Sequence, residues 1–262
     1  MSLLDLAEAA RAVDGVPPFN EATTIALRDG APLRVARYDE VVGAVAAGDA
    51  PVEIVVHPRY RRQGRARALV EDLVERGETR FWAHGDLPGA QALAAATGLR
   101  ATRTLLVLTT TDREVAAPHV PDGIEIRTFE EADTDGVVTV NARAFAHHPE
   151  QGAMDRADFD RRRAEPWFDP AGLFVATRDG EVVGFHWTKV EDGVGEVYVV
   201  GVDPSTHGGG LGTALTTVGL RHLWDRGVRE IDLYVEGDND AALTVYRRLG
   251  FTEKARDVLY ER

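Results

Sequence analysis

The stretch EVYVVGV, residues 196 to 202, is a run of β-branched residues that reads as a buried strand. It passes through the glycine-rich turn DPSTHGGGLG into a segment where Leu211, Leu215, Val218 and Trp224 recur at helical spacing as far as Gly227. A strand, EIDLYVEG, follows, then AALTVYRRLGF, in which Ala242, Tyr246 and Leu249 fall on one helix face, then a last strand. The first half carries the same order of signals. EIVV (53 to 56) leads through HPRYRRQGRA into a helix of Ala68, Leu69, Leu73 and Val74 closed by Gly77, then RFWAHG and ATGLRATRTLLVL. The offsets agree with one small insertion, 204 − 58 = 146 at the prolines of the turns and 250 − 98 = 152 at the later glycines. Ahead of these elements the second half has the strand IEIRTF, a helix through Val138, and a hairpin, LFVATRDGEVVGFHWTKV, with Asp179-Gly180 at its tip. RVARYDEVVGAVAAG is a degraded version of that hairpin in the first half.

This repeated order predicts an α/β (α+β) chain of two similar domains, each a mixed twisted sheet flanked by helices. DREVAAPHVPDG, with Pro118, Pro121 and Gly123, breaks the periodicity. The expected division is 1–112, a linker at 113–123, and 124–262. A length of 262 residues suits two cores.

Composition then narrows the function classes. At 44% apolar and 28% charged the chain reads as soluble and globular, and no run approaches the roughly 18 apolar residues of a membrane helix. The N-terminal MSLLDLAEAARAVDG has acidic residues within a helical pattern and no basic leader, as expected of a cytoplasmic protein. The absence of cysteine excludes disulfides, thiolate nucleophiles and zinc–thiolate sites. A net charge of −13 disfavours nucleic acid as a partner. The expected partner is a small-molecule substrate, with the chain acting as a monomer.

A glycine-rich turn between a strand and a helix gathers unpaired N–H groups at the positive end of the helix dipole and so favours a phosphate or pyrophosphate; it also serves as a plain tight turn. Gly-Lys-Ser/Thr is missing, which speaks against a P-loop, and Thr213 stands where a dinucleotide motif has its third glycine. V-x-x-P-x-x-[QR]-x-x-G-x-[GA] after a strand is the acetyl-CoA signature of the GNAT N-acetyltransferases, and the chain resembles it twice. Arg61, Gly64 and Ala66 match in the first half; Gly210 and Gly212 match in the second, where His207 replaces the usual Gln or Arg. AFAHHPEQG, EPWFDP, GFHWTKV, GEVYVVGVDP and LYVEGDNDAA further resemble the mycothiol synthase family of tandem GNAT enzymes, which acetylate the cysteinyl amine of cysteinyl-glucosaminyl-inositol.

The resemblance implies specific roles. Glu196, by position alone a solvated strand-end glutamate, corresponds to the general base; Tyr246, by position alone as readily a core tyrosine as a proton donor, corresponds to the general acid. Acetyl-CoA, as co-substrate and with no metal, is implied at Val200, Gly201 and Val202, at His207, Gly208, Gly209, Gly210, Leu211, Gly212 and Thr213, and at Asn239, Asp240, Ala241, Ala242, Leu243 and Thr244. The first-half counterparts are Ile54, Val55 and Val56 with Arg62, Gln63, Gly64, Arg65, Ala66 and Arg67. Substrate contacts are implied at Glu21, Glu150, Lys189, Glu196 and Tyr234. His147-His148 beside Glu150 do not read as a metal site, because adjacent histidines point different ways. Counting back eight from Pro58 gives Ala50 opposite Glu196, and counting back four from Gly98 gives Ala94 opposite Tyr246. Neither alanine transfers a proton, so the second half is expected to catalyse and the first to be non-catalytic while retaining its cofactor turn. Two other readings remain: a tandem GNAT enzyme for another small amine or peptide N-terminus, and a non-catalytic acyl-CoA sensor.

Overall fold

The structure, a computed structural model, describes residues 1–146, 151–206 and 209–262. Two compact units form: Met1–Val107 with Glu236–Asn239 and Glu253–Arg262, and Leu108–Val235 with Asp240–Thr252.

In the first unit, α1 (Leu3–Asp14) starts at Ser2, whose hydroxyl and the Asp5 carboxylate form a reciprocal capping box, and stops at Gly15 in the left-handed region. α2 (Glu21–Asp29) is capped by Asn20, whose side chain accepts from Thr23 N–H. The hairpin β1 (Arg34–Asp39) and β2 (Val42–Ala46), then β3 (Val52–Val56), α3 (Arg65–Glu75), β4 (Arg80–Ala83), α4 (Pro88–Thr97) and β5 (Arg100–Thr110) follow. Alternation along β2 and β3 sends Leu69, Leu73 and Phe81 with Val42 and Ala44 into one core, and Leu3, Leu6 and Phe19 with Val45 and Val55 into another.

The second unit runs β6 (Glu125–Thr128), α5 (Thr134–Ala144), α6 (Arg156–Arg163), β7 (Leu173–Arg178), β8 (Glu181–Glu191), β9 (Val194–Val202), α7 (Leu211–Asp225), β10 (Glu230–Glu236) and α8 (Asp240–Arg248), before β11 (Thr252–Glu261). The β7–β8 hairpin turns at Asp179 and Gly180, φ 51° and 85°, as the Asp-Gly pair predicted. Phe159, Phe185, Trp187 and Val199 pack on the α5–α6 face, and Ala176, Leu211 and Leu215 on the α7 face. His186, fully buried on that second face, donates or accepts through Nδ1 at 2.8 Å from Leu215 O, and Gly219 is the residue that lets α7 approach it.

The strand order is β1-β2-β3-β4-β11-β5 in the first unit and β10-β9-β8-β7-β6 in the second. Spatial units and sequence halves therefore do not coincide, at β11 above all. β11, the last strand of the second half, runs antiparallel to β4, pairing Leu259 with Trp82 and Tyr260 with Phe81, and so belongs to the first unit. No helix among the described residues is long and apolar enough to cross a membrane.

Candidate active site

The strands β9 and β10 are parallel and share a ladder from Val194↔Glu230 to Val197↔Leu233. Past that point β9 runs on to Val202, its ladder with β8 continuing to Gly184↔Val202. The two parallel strands thus diverge halfway along β9, and the backbone of residues 198–202 on its β10 side is not taken up in their ladder. The register of β8 with β9 also slips here, Trp187 pairing with Val199 and Thr188 with Val197, so that Tyr198 is an extra residue, a β-bulge. The bulge has a consequence for direction. Alternation puts Glu196 and Tyr198 on the α5–α6 face, and the extra residue puts Val199 there as well, beside Trp187.

Glu196 lies directly opposite Lys189 on β8 and opposite Asp232 on β10, a row of three charged side chains on one sheet face. Lys189 is buried; its Nζ sits 5.0 Å from the Trp167 ring centre, 5.9 Å from that of Tyr198, and 3.2 Å from Glu191 Oε2. Arg162 of α6 donates to Tyr198 Oη at 3.2 Å and stacks over the same ring. Tyr234, two residues beyond Asp232 and hence on the same face of β10, is 51% exposed. Three of the expected substrate residues, Lys189, Glu196 and Tyr234, are therefore on one face of three adjacent strands.

The turn after β9 is set by Asp203. Its Oδ1 accepts from Ser205 N–H at 2.9 Å and Ser205 Oγ at 2.7 Å, and Oδ2 from Arg143 at 3.0 Å. The Ser205 hydrogen bonds, helped by Arg143, lower the Asp203 pKa to about 2. Gly210, at φ 81°, is the N-cap of α7, a conformation that needs glycine, and it makes no side-chain cap. The first turn of α7 has no acidic residue either. Among the described residues, the first N–H groups of this 15-residue helix, at Leu211, Gly212 and Thr213, thus have neither a side-chain cap nor an acidic residue in their own turn. A Cβ on Gly212 would meet only Val202 Cγ2 at 3.8 Å, so packing does not account for that glycine. These features fit a pyrophosphate carried on backbone groups.

Tyr246 lies on α8 against Phe251, ring centres 5.8 Å apart, and burial raises its phenol to about 12. It is therefore protonated across the neutral range and suited to donating a proton. Asn239 precedes α8, its N–H donating to Glu236 O at 3.0 Å, and Asp240, Ala241, Ala242, Leu243 and Thr244 form the first turns. Glu150, His207 and Gly208 lie outside the described residues, as do His147 and His148.

The first unit has the same divergence, its β3–β4 ladder holding only Val52↔Phe81 and Glu53↔Trp82 before Ile54, Val55 and Val56 run on beside β2. Gly64, at φ 75°, caps α3 without a side-chain bond. Its arginines are engaged, however. Arg61 makes a bidentate pair with Asp14 (2.7 and 2.6 Å), Arg65 pairs with Asp39, and Arg67 with Glu71 at 2.8 Å. Arg62, Gln63 and Gly64 are exposed, and Ala66 is half-buried. The bulge corrects one detail of the sequence comparison. His57 N–H and Asp203 N–H bond alike to Val41 O and Val183 O, and with the bulged residue discounted the position matching Glu196 is 8 − 1 = 7 before Pro58, which is Pro51 rather than Ala50. Pro51 transfers no proton either.

Sequence reasoning passed over Tyr198, Arg162, Trp167 and Asp232. A glutamate and a tyrosine two apart in a β-branched run, Glu196 and Tyr198, were the available signal; the strand registers were not. It also passed over Glu53, an acid inside an apolar strand that is 1% exposed.

A family profile described as acetyltransferase (GNAT) family matches residues 5–98 and 141–251. A mycothiol acetyltransferase from Thermomonospora curvata is 50% identical, covering 99% of this chain and 92% of the relative. One from Clavibacter michiganensis is 49% identical, covering 99% and 90%. Among solved structures, a GCN5-related N-acetyltransferase from Sphaerobacter thermophilus has a TM-score of 0.69 at 25% identity, covering 98% of this chain and 90% of that one. A tandem GNAT protein from the clavulanic acid biosynthesis pathway has a TM-score of 0.71 at 22% identity, covering 99% and 93%, a likeness of fold.

Proposed function

The chain belongs to the acetyltransferase (GNAT) family and within it to the mycothiol acetyltransferases, and from that premise we propose that it transfers acetyl from acetyl-CoA to the cysteinyl amine of cysteinyl-glucosaminyl-inositol, forming mycothiol. The observation that carries the proposal is the row Lys189–Glu196–Asp232 at the point where β9 and β10 diverge, on a strand that leads through a turn into a helix whose glycine N-cap makes no side-chain bond. The same divergence and open turn are what the other amine-acetylating reading needs; the near full-length identity to mycothiol acetyltransferases favours the cysteinyl acceptor over it.

In the proposed mechanism the pyrophosphate of acetyl-CoA rests on the N–H groups at Gly209–Thr213, and the pantetheine arm follows the backbone of Val200, Gly201 and Val202. Glu196 takes a proton from the acceptor ammonium, directly or through water. The free amine attacks the thioester carbonyl, the C–N bond forms, and strand N–H groups steady the oxyanion. As the C–S bond breaks, Tyr246 gives its phenolic proton to the departing sulfur, the nitrogen gives up its second proton to restore the phenol, and the proton on Glu196 passes to solvent. Glu150, Lys189 and Tyr234 bind the acceptor's ammonium and hydroxyls. The first unit is a non-catalytic companion that retains an acetyl-CoA turn at Arg62–Arg67 with Ile54–Val56.

Glu196→Gln keeps the shape and removes the base, so kcat is expected to fall by about 10² or more while the melting temperature holds. Near-normal kcat across pH would remove Glu196 from the role. Titration with coenzyme A tests the first-unit turn: two equivalents per chain support it, and one equivalent rejects it.

A further inference from the structure

The segment EPWFDP sets Trp167 in the connection between α6 and β7, and the pleat of β8 puts Trp187 and Lys189, two residues apart, on one face. They meet at the bulged residue of β9. The Tyr198 ring lies 4.9 Å from that of Trp167 and 5.5 Å from that of Trp187, and the two tryptophan rings are 5.9 Å apart. Trp187, fully buried, anchors this group of rings in the core. Lys189, itself buried, places Nζ 5.0 Å from the centre of the Trp167 ring and 5.9 Å from that of Tyr198. Both lie within the roughly 6 Å at which an aromatic face attracts a cation. Glu191 Oε2 is 3.2 Å from the same nitrogen, but its side chain is 61% exposed, so water screens that pair. Tyr198 is braced in turn by Arg162 of α6, which donates to Oη at 3.2 Å and lies 5.8 Å above the ring centre.

We propose that Trp167 and Tyr198 are positioning residues for acceptor binding: their rings hold the Lys189 ammonium beside Glu196, so that the oxygen-bearing body of the acceptor lies toward β8 and its amine toward Glu196 and β10. The inference rests on the reading above that Lys189 meets the acceptor. The rings act through Lys189, and all of these residues belong to the second unit.

A lysine has a flexible stem, and an ammonium drawn out of water costs free energy unless something compensates it. Aromatic faces compensate without neutralising. They attract the cation yet bring no carboxylate to cancel its charge toward a ligand. A cation fixed in this way directly opposite Glu196 repels the acceptor's own ammonium and attracts hydroxyl and carbonyl oxygens. On the other side of Glu196 stands Asp232, of opposite sign. The row therefore has a direction across the sheet, positive at β8 and negative at β10. An acceptor with one amine and many hydroxyls is oriented by that difference.

The test is a double-mutant cycle of wild type, Lys189→Met, Trp167→Leu and the two combined, with cysteinyl-glucosaminyl-inositol and acetyl-CoA varied separately in steady-state kinetics. Each single variant is expected to raise the acceptor KM by about tenfold, with the acetyl-CoA KM within about twofold. The double variant is expected to match Lys189→Met within about twofold, because the ring acts only through the ammonium. The N-acetylated product, which keeps the hydroxyls and has lost the ammonium, is the second probe: its competition with the acceptor should weaken by about the same factor in both single variants. A purely structural tryptophan lowers the melting temperature and its effect multiplies with that of Lys189→Met. Multiplying effects therefore overturn the positioning role, as does an acceptor KM that Trp167→Leu leaves unchanged. Product inhibition that Lys189→Met leaves unchanged overturns the orientation. Where Trp167→Leu does not fold, Tyr198→Leu completes the same cycle with the same outcomes. If Lys189→Met leaves the acceptor KM unchanged, the assignment of Lys189 fails and takes the role of the rings with it; if wild type does not turn over this acceptor at all, the functional reading fails first and the positioning role falls with it.

Discussion

Thr213→Asp pits helix stability against cofactor binding, and the two effects have opposite signs. Thr213 is exposed at the third position of α7, behind a glycine N-cap with no side-chain bond and no acidic residue in the turn. A carboxylate there meets the positive end of the helix and should add about 0.3–1 kcal/mol to stability. For a unit of this size that is a rise in melting temperature of roughly 1–3 °C. The same carboxylate lies against the proposed pyrophosphate. Two phosphate charges some 5 Å away repel it by roughly 2–5 kcal/mol at effective dielectric constants between those of water and a protein surface. Salt screening reduces this, so the expected rise in acetyl-CoA KM is at least about tenfold, with the acceptor KM unchanged. Thr213→Asn, neutral and of the same shape, should leave acetyl-CoA KM within about threefold. Calorimetry and steady-state kinetics on the three proteins decide the matter. A higher melting temperature with an unchanged acetyl-CoA KM would refute the phosphate assignment, and a lower one would refute the claim that the helix start is open.

Gly219→Ala should be among the most damaging small substitutions in the second unit. Its Cβ would lie 2.0 Å from His186 Cε1 and 2.2 Å from Nδ1, and the fully buried ring has nowhere to go without losing its bond to Leu215 O. Overpacking together with a stranded polar group costs about 2–5 kcal/mol, read by denaturant unfolding; a loss under about 1 kcal/mol would mean that α7 shifts freely. Tyr246→Phe should lower kcat by about 10² with acetyl-CoA KM little changed, since the phenol, at about 12, is a proton donor throughout the working range; an unchanged kcat assigns the proton to another donor. Stability should depend on pH through His84, whose Nε2 lies 2.6 Å from Glu53 Oε1 and whose Nδ1 lies 2.9 Å from Asp257 Oδ2. Burial lowers its pKa, but the hydrogen bonds and charges of Asp257 and Glu53 outweigh this and raise it to about 9, above the ordinary 6.5, so the stabilisation is complete below pH 6.5 and is lost as pH rises through 9. Thermal unfolding of His84→Gln should lack that alkaline slope, and an equal slope in both proteins would contradict the pairing.

Much of the fold was legible because its signals are local. Asp179-Gly180 set a hairpin, Gly77 and Gly227 followed helix ends, and β-branched runs marked β3 and β9 as strands. The two glycine turns were legible for the same reason, each being a contiguous segment between a strand and a helix. What remained hidden depends on pairing between distant segments. The bulge at Tyr198 appears only when β8 is laid beside β9, and it moved the counterpart of Glu196 by one residue. The return of β11 to β4 joins residues such as Leu259 and Trp82, 259 − 82 = 177 apart, and periodicity identifies both strands without joining them. The Glu53–His84–Asp257 chain spans separations of 31 and 173 residues, and each of its members alone reads as an ordinary polar residue. Arg61, Arg65 and Arg67 illustrate a different limit: sequence supplied the positive charges of the first turn, but Asp14, Asp39 and Glu71, which occupy them, were visible only in the folded chain.

The most direct measurement is thiol release from acetyl-CoA on adding cysteinyl-glucosaminyl-inositol, compared with free amino acids, amino sugars and peptide N-termini at equal concentration, with the product analysed by mass. The account predicts that the cysteinyl-glucosaminyl-inositol gains one acetyl group on its amine with a kcat/KM at least about 10² above every other amine, and that Glu196→Gln abolishes the difference. Turnover on that acceptor no faster than on the amino acids would contradict it.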